Sequence, residues 1–234
     1  MLLPVSAAYI TTQLSVFLQF FTGIFNFIGI LYKLPQPDKI LVDVLQLESL
    51  VQALQFVFYI SFVNKFNLET LAVTRYGDWF ITTPVMLFTT IVYLAYEARM
   101  EENDRTGLYL YNFLVDNKND VIQIFIGNFF MLLTGLFGEL GYISKTTSLI
   151  LGFLAFAYTF NIIYKNYAKF SENGKKLFNI FAVIWSLYGL GYILPVIEKN
   201  VLFNILDIIS KNFFGVYLYL LVDKLSKEYK ITSN

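Results

Sequence analysis

Along the chain, long apolar runs alternate with short polar breaks. The runs lie at about 6 to 31, 39 to 62, 70 to 97, 119 to 141, 145 to 168, 175 to 197 and 200 to 223. A helix that crosses a bilayer needs about 20 predominantly apolar residues. The pattern therefore predicts seven spans, an all-α integral membrane bundle, with residues 1–234 forming a single domain. The breaks are poor helix or poor membrane sequence: Lys33, Pro35, Pro37 and Lys39 follow the first run, and Ser171, Glu172, Asn173, Gly174, Lys175 and Lys176 precede the sixth. Only the connection from Glu97 to Asp120 is long. Its Leu108, Tyr109, Leu110, Tyr111, Phe113 and Leu114 cluster predicts a short amphipathic helix at the membrane interface.

Composition strengthens this picture. Of 234 residues, 57% are hydrophobic and 19% aromatic, more apolar surface than one soluble core of this length can hide, so lipid is the expected solvent. The chain has no Cys and no His, which removes the usual ligands and nucleophiles of zinc, iron–sulfur, thiolate and imidazole sites. No enzymatic reaction and no metal site are expected. The 17 basic and 17 acidic residues cancel, which argues against nucleic acid as a partner. Twelve basic residues fall on the side shared by the first, third and fifth connections and the C-terminus. Three, Lys65, Lys145 and Lys199, fall on the other. Positive loops stay cytoplasmic, so the expected orientation is N-terminus outside and C-terminus cytoplasmic. Met1 to Tyr9 lacks a basic start, so the first run is expected to be a retained span rather than a cleaved leader.

Two basic residues remain deep inside spans, Arg75 in the third and Lys211 in the seventh. A charge near the bilayer centre costs several kcal/mol and persists where it is paired or functional. Asp78 follows Arg75 by three residues and Asp207 precedes Lys211 by four, so each pair shares a helix face. If the third and seventh spans face each other, the four form one buried, neutral quadrupole. Taken alone, that could be a purely structural ion cluster.

The residues around the charges resemble those of microbial (type 1) rhodopsins. Arg75-Tyr76-Gly77-Asp78-Trp79-Phe80-Ile81-Thr82-Thr83-Pro84 matches R-Y-x-D-W-x-x-T-x-P at every fixed position. Trp185-Ser186-Leu187-Tyr188 is similar to the sixth-helix W-x-x-Y, and Asp207 to Lys211 to the seventh-helix D-x-x-x-K. Met131, Thr134 and Gly135 look like the pattern beneath the chromophore. The resemblance implies all-trans retinal held as a Schiff base on Lys211. Asp78 and Asp207 would be its counterions, with Arg75 balancing their charge. Trp79 and Trp185, the only two tryptophans, would sandwich the polyene, with Thr82 and Tyr188 beside it and Met131 and Gly135 near its ring.

Within that family the chain departs from efficient pumps. Ten residues after Trp79, where a pump usually carries a proton-donating carboxylate, stands Thr89, and no Asp or Glu lies between Asp78 and Glu97. Only Glu198 stands near the family's outer proton-release pair. Gly189 replaces a common Pro, Asn128 a common Asp, and Gly152 a ring-packing Trp. Two spans instead carry polar stripes at helical period: Thr12, Ser15, Gln19, Thr22 and Asn26 on the first, and Glu48, Gln52, Gln55 and Tyr59 on the second. Such faces either pair dry as interhelical glue or line water. Ser15, Glu48 and the Asn212 that follows Lys211 resemble the Ser, Glu and Asn of the channelrhodopsin gate, with Gln52 the alternative to Glu48. In length the chain is similar to the compact rhodopsins of large algal viruses, one group of which is a set of cation channels. The resemblance thus implies a light-gated cation channel, with a weak outward proton pump or a photosensor as alternatives. Expected partners are the lipid bilayer and monovalent or divalent cations or protons; a homo-oligomer is left open.

Overall fold

A computed structural model describes residues 3–232. The described residues form helices α1 (Val5–Gly29), α2 (Lys39–Asn64), α3 (Leu68–Glu101), α4 (Leu110–Asp116), α5 (Lys118–Glu139), α6 (Lys145–Asn166), α7 (Glu172–Gly191), α8 (Val196–Asp207) and α9 (Phe214–Thr232). A π-helical turn, Ile208–Phe213, joins α8 to α9, so these three pieces make one rod. Counting that rod once, the described residues hold seven long helices, the short α4, one 3-10 turn at Ala168–Phe170, and no strand. Six of the seven are long and apolar enough to cross a membrane by length and composition. The remaining one, α7, opens on Glu172, Asn173, Lys175 and Lys176, which lowers its hydropathy without shortening it below a span. The protein is a seven-helix integral membrane bundle.

The pattern of burial shows which solvent the bundle is built for. On α1 the inward positions are Thr12, Ser15, Gln19, Thr22 and Asn26, while Phe17, Phe20, Phe25 and Phe27 face outward. Polar residues inside and aromatic ones outside would be unstable in water and are favourable in hydrocarbon, where each inward polar group needs an internal partner or internal water.

The helices close a ring in the order α1, α2, α3, α5, α6, α7 and the α8–α9 rod, which packs back on α1; α3 also touches α8 and lies innermost. Helix starts are set by capping. Asn67 accepts from the backbone N–H of Glu69 at 3.0 Å, Ser144 from Thr147 and Ser171 from Gly174.

The ends differ from expectation where capping rather than hydropathy decides. The sixth span begins at Glu172 and stops at Gly191, short of residue 197, because Pro195 starts the next helix. The third and seventh spans run past the apolar stretch, to Glu101 and Thr232, since a helix continues into the interface with charged residues. The connection after α3 contains the expected short helix, α4, with Phe113 as its buried anchor.

One buried ion pair ties α5 to α8. Lys199 Nζ lies 2.6 Å from Glu139 Oε1, with side chains 3% and 9% exposed. Breaking it should leave an uncompensated charge, so Glu139→Gln is expected to cost about 3 kcal/mol. The check is the temperature at which the visible band is lost, and the double change with Lys199→Met should recover part of it.

Candidate functional site

The third-span motif sorts its residues onto two faces. Arg75, Asp78 and Thr82 recur at three and four, as do Trp79, Thr83 and Met86 one step around the helix. The first set points at the charges and the second at a cavity. Arg75, Asp78 and Asp207 are fully buried and Lys211 is 3% exposed.

The four charges come together, but not as neighbours along one helix. Arg75 Nη1 is 3.3 Å from Asp207 Oδ2, and Lys211 Nζ is 2.7 Å from Asp78 Oδ2 and 3.9 Å from Asp207 Oδ1. Each cation thus takes its closest carboxylate from the other helix, and the group is neutral. Such an arrangement offsets the desolvation of four ions, which no isolated pair in hydrocarbon could do as well.

Asp207 is the most heavily bonded member. It accepts from Tyr59 Oη at 2.5 Å, Tyr188 Oη at 2.7 Å and Trp79 Nε1 at 3.3 Å, besides Arg75. Arg75 also donates to Tyr59 Oη at 2.6 Å and to Asn204 Oδ1, with its guanidinium 5.2 Å over the Tyr59 ring. Asp78 differs: Oδ2 meets Lys211, and Oδ1 has no protein partner. Tyr59 was legible only as a member of a polar stripe, and Asn204 only by its spacing from Asp207. Tyr59 ends the α2 stripe and Asn204 precedes Asp207 by three residues.

Beside the charges lies a cavity of about 120 Å³, lined mostly by apolar side chains as small-molecule sites are. Lys211 and Asp207 line it together with Trp79, Trp185, Tyr188 and Met131, and with Gly135, Gly152 and Gly189. At Gly135 a β-carbon would fall 2.6 Å from Tyr76 Oη, so the missing side chain lets the Tyr76 ring lie against α5. Trp79 packs edge-on to Tyr188 and Phe203, and Trp185 against Phe160. Lys211 sits in the π-helical turn, where the widened backbone loosens the i to i−4 ladder, a feature common at functional sites.

Two expectations about position are corrected. Thr82 does not line the cavity. Its hydroxyl turns back to Asp78 O at 3.0 Å, on the charged face, and Thr83 takes the place beside the cavity, paired with Asn128 on α5. Thr134 likewise is absent from the lining and donates to Phe130 O.

The Ser15, Glu48 and Asn212 group is also not joined by hydrogen bonds among the described residues. Ser15 donates to Asn204 O at 3.4 Å, and Glu48 accepts from Thr89 on α3. The reason is height. Tyr59 on α2 is level with Asp207, and Asn212 lies five residues further, about 7.5 Å, whereas Glu48 lies eleven residues from Tyr59, about 16 Å. Gln55 and Gln52 are the polar α2 residues nearest the level of Asn212. Gln52 donates to Gln19 O at 3.3 Å, while the side-chain amides of Gln19, Asn26, Gln55 and Asn212 have no protein partner.

These residues fit a linear polyene with an amine-reactive end. The cavity is lined largely by aromatic side chains and by the buried Lys211, and the Asp78 carboxylate bonded to that amine keeps one oxygen without a protein partner. Comparison with known proteins agrees. The profile of the family described as bacteriorhodopsin-like protein matches residues 8–225. Among solved structures, the viral rhodopsin OLPVRII is 28% identical, with a TM-score of 0.77 over 93% of this chain and 98% of that one. The blue light-absorbing proteorhodopsin from Med12 is 22% identical, with a TM-score of 0.69 over 93% and 97%. The rhodopsin of Exiguobacterium sibiricum is 17% identical, with a TM-score of 0.71 over 95% and 98%. The last two show the fold alone. No curated protein matches the chain. Members of this family bind retinal through a Schiff base to a lysine. The chain belongs to the bacteriorhodopsin-like family of retinal-binding membrane proteins.

Proposed function

We propose that the protein is a light-gated cation channel that carries all-trans retinal on Lys211, with its N-terminus outside and residues 1–234 acting as one domain. The observation that carries this reading is the set of unpartnered amides on the seam of α1, α2 and the seventh rod. Gln19, Asn26, Gln55 and Asn212 are 0–2% exposed, and none of their side-chain nitrogens or oxygens has a protein partner. Dry interhelical glue would pair these groups with one another. Eight buried donor and acceptor atoms left unpaired across several helical turns are instead what a water-filled path requires. Ser15 and Asn204 border the same seam on the α1-start side, and Gln52 and Glu48 on the other.

Bound retinal supplies light absorption and a change of shape at Lys211. The chain's own residues then act as follows. Asp78 takes the proton from Lys211 Nζ, since it is the nearest carboxylate and has a free oxygen. Asp207 stays ionised, held by Arg75, Tyr59, Tyr188 and Trp79. Neutralising the Asp78–Lys211 pair removes half of the quadrupole that ties α3 to the seventh rod, and the seam beside it opens to hydrated cations. Glu48 lends the path negative charge.

A weak outward proton pump is the second reading. It is favoured by the contact of Thr89 with Glu48, which puts a carboxyl beside the position on α3 where Thr89 replaces the usual donor.

Voltage clamp under illumination separates the readings: a channel current reverses sign with voltage, whereas a pump current keeps one direction. Gln19→Leu with Asn26→Leu lies away from Lys211. It should reduce the passive current about tenfold by making the seam apolar, with the absorption spectrum unmoved. Current per coloured molecule equal to that of the parent would sink the seam.

A further inference from the structure

The polar seam ends abruptly towards the start of α2. Beyond Asn26 and Glu48 the facing positions turn apolar: Leu41 and Leu45 on α2, Ile91 and Leu94 on α3, Leu218 and Val222 on α9. All six are fully buried in one cluster. A β-carbon at Gly29 of α1 would collide with Leu45 and Tyr219, so α1 closes the same plug with no room to spare. A dry apolar constriction stops ions by excluding water, and a small widening wets it.

Over this plug sits a buried carboxylate that the mechanism above does not use. Asp38, 4% exposed, is the residue before α2. Its two oxygens are taken by phenols from two other helices: Tyr96 of α3 donates to Oδ1 and Tyr229 of α9 to Oδ2, each at 2.7 Å. Closer to the plug, the Tyr93 and Tyr217 hydroxyls meet at 2.6 Å, again α3 to α9. Helix α9 leaves directly from the π-helical turn that holds Lys211. A displacement at Lys211 therefore reaches Tyr229, eighteen residues or about 27 Å away, along one rod.

We propose that Asp38 is a positioning residue that latches α9 against α2 and α3 through Tyr229 and Tyr96, keeping the apolar plug shut. It rests on the channel reading only for what the plug closes. In the dark the two phenols hold the end of α9 in place. When the rod shifts, the Tyr229 contact breaks first, because it joins the moving helix to the α2 start, and the plug widens.

The test uses the whole retinal-bound protein. The chain has no cysteine, so spin labels at Glu102→Cys and Lys224→Cys, both exposed, report the distance between the ends of α3 and α9. Voltage clamp reports the current. Light should lengthen the label distance in the parent. In Asp38→Asn, and in the milder Tyr229→Phe, its return after light should slow about fivefold, the kinetic equivalent of one lost hydrogen bond. The closing of the current should slow alongside, and the spectrum should stay unmoved. Return within about twofold of the parent in both coloured variants overturns the latch, as does a label distance in the parent that light does not change. Labels that move and slow in the absence of any reversing current would leave the latch standing and overturn the channel.

Discussion

Lys211→Ala is expected to abolish the visible chromophore when the protein is given all-trans retinal. Among the described residues, Lys211 is the only lysine that lines the aromatic cavity. The change also leaves Arg75 facing two carboxylates, and an uncompensated buried charge costs about 3–5 kcal/mol, so loss of colour could reflect loss of folding. Lys211→Ala combined with Asp78→Asn removes one cation and one anion together and restores neutrality. The double variant should fold, with thermal stability near that of the parent, and remain colourless. A visible band in either variant would overturn Lys211 as the attachment residue.

Asp78→Asn should move the absorption band of the dark state to longer wavelength by more than any other single change at the site. The reasoning is electrostatic. At an effective dielectric constant of about 20, unit charges at the 2.7 Å separation of Lys211 and Asp78 attract by about 6 kcal/mol, against about 4 kcal/mol for the 3.9 Å separation of Lys211 and Asp207. Asp207 also shares its charge with Arg75 and three further hydrogen-bond donors, so it is the weaker partner of Lys211. Removing Asp78 takes away the larger attraction, which stabilises positive charge at the nitrogen in the dark, and so narrows the excitation gap. Absorption spectra of the parent and variant at one pH check this. An unmoved band would make Asp207 the sole counterion and reverse the two roles.

The membrane class and the membership of the site were legible without a fold. Seven apolar runs of spanning length, two basic residues too costly to keep unpaired in hydrocarbon, and two tryptophans inside spans, one of them four residues after Arg75, mark a buried ionic site beside an aromatic slot. Helical periodicity even reports which residues share a face, as with the α2 stripe that ends at Tyr59. It does not report heights. Arg75 has Asp78 one turn away on its own helix, yet bonds Asp207, because the long guanidinium reaches across to α8 and to Asn204. Glu48 seemed a natural neighbour of Asn212, yet meets Thr89, because α2 is docked with Tyr59 at the level of Asp207. Thr82 and Thr83 differ by one residue and so by 100° around the helix, enough to send one to the charges and the other to the cavity.

Sequence by itself therefore determined what must be inside: charge, aromatic rings and amides placed at helical period on spans that lipid forces to be helices, each a property of one helix and its solvent. Tertiary structure alone decided who meets whom. Partner choice depends on the relative height and rotation of seven packed rods, which are set by the sum of many contacts such as Gly29 against Leu45 and Asp38 between Tyr96 and Tyr229, and no spacing along a single chain encodes that sum.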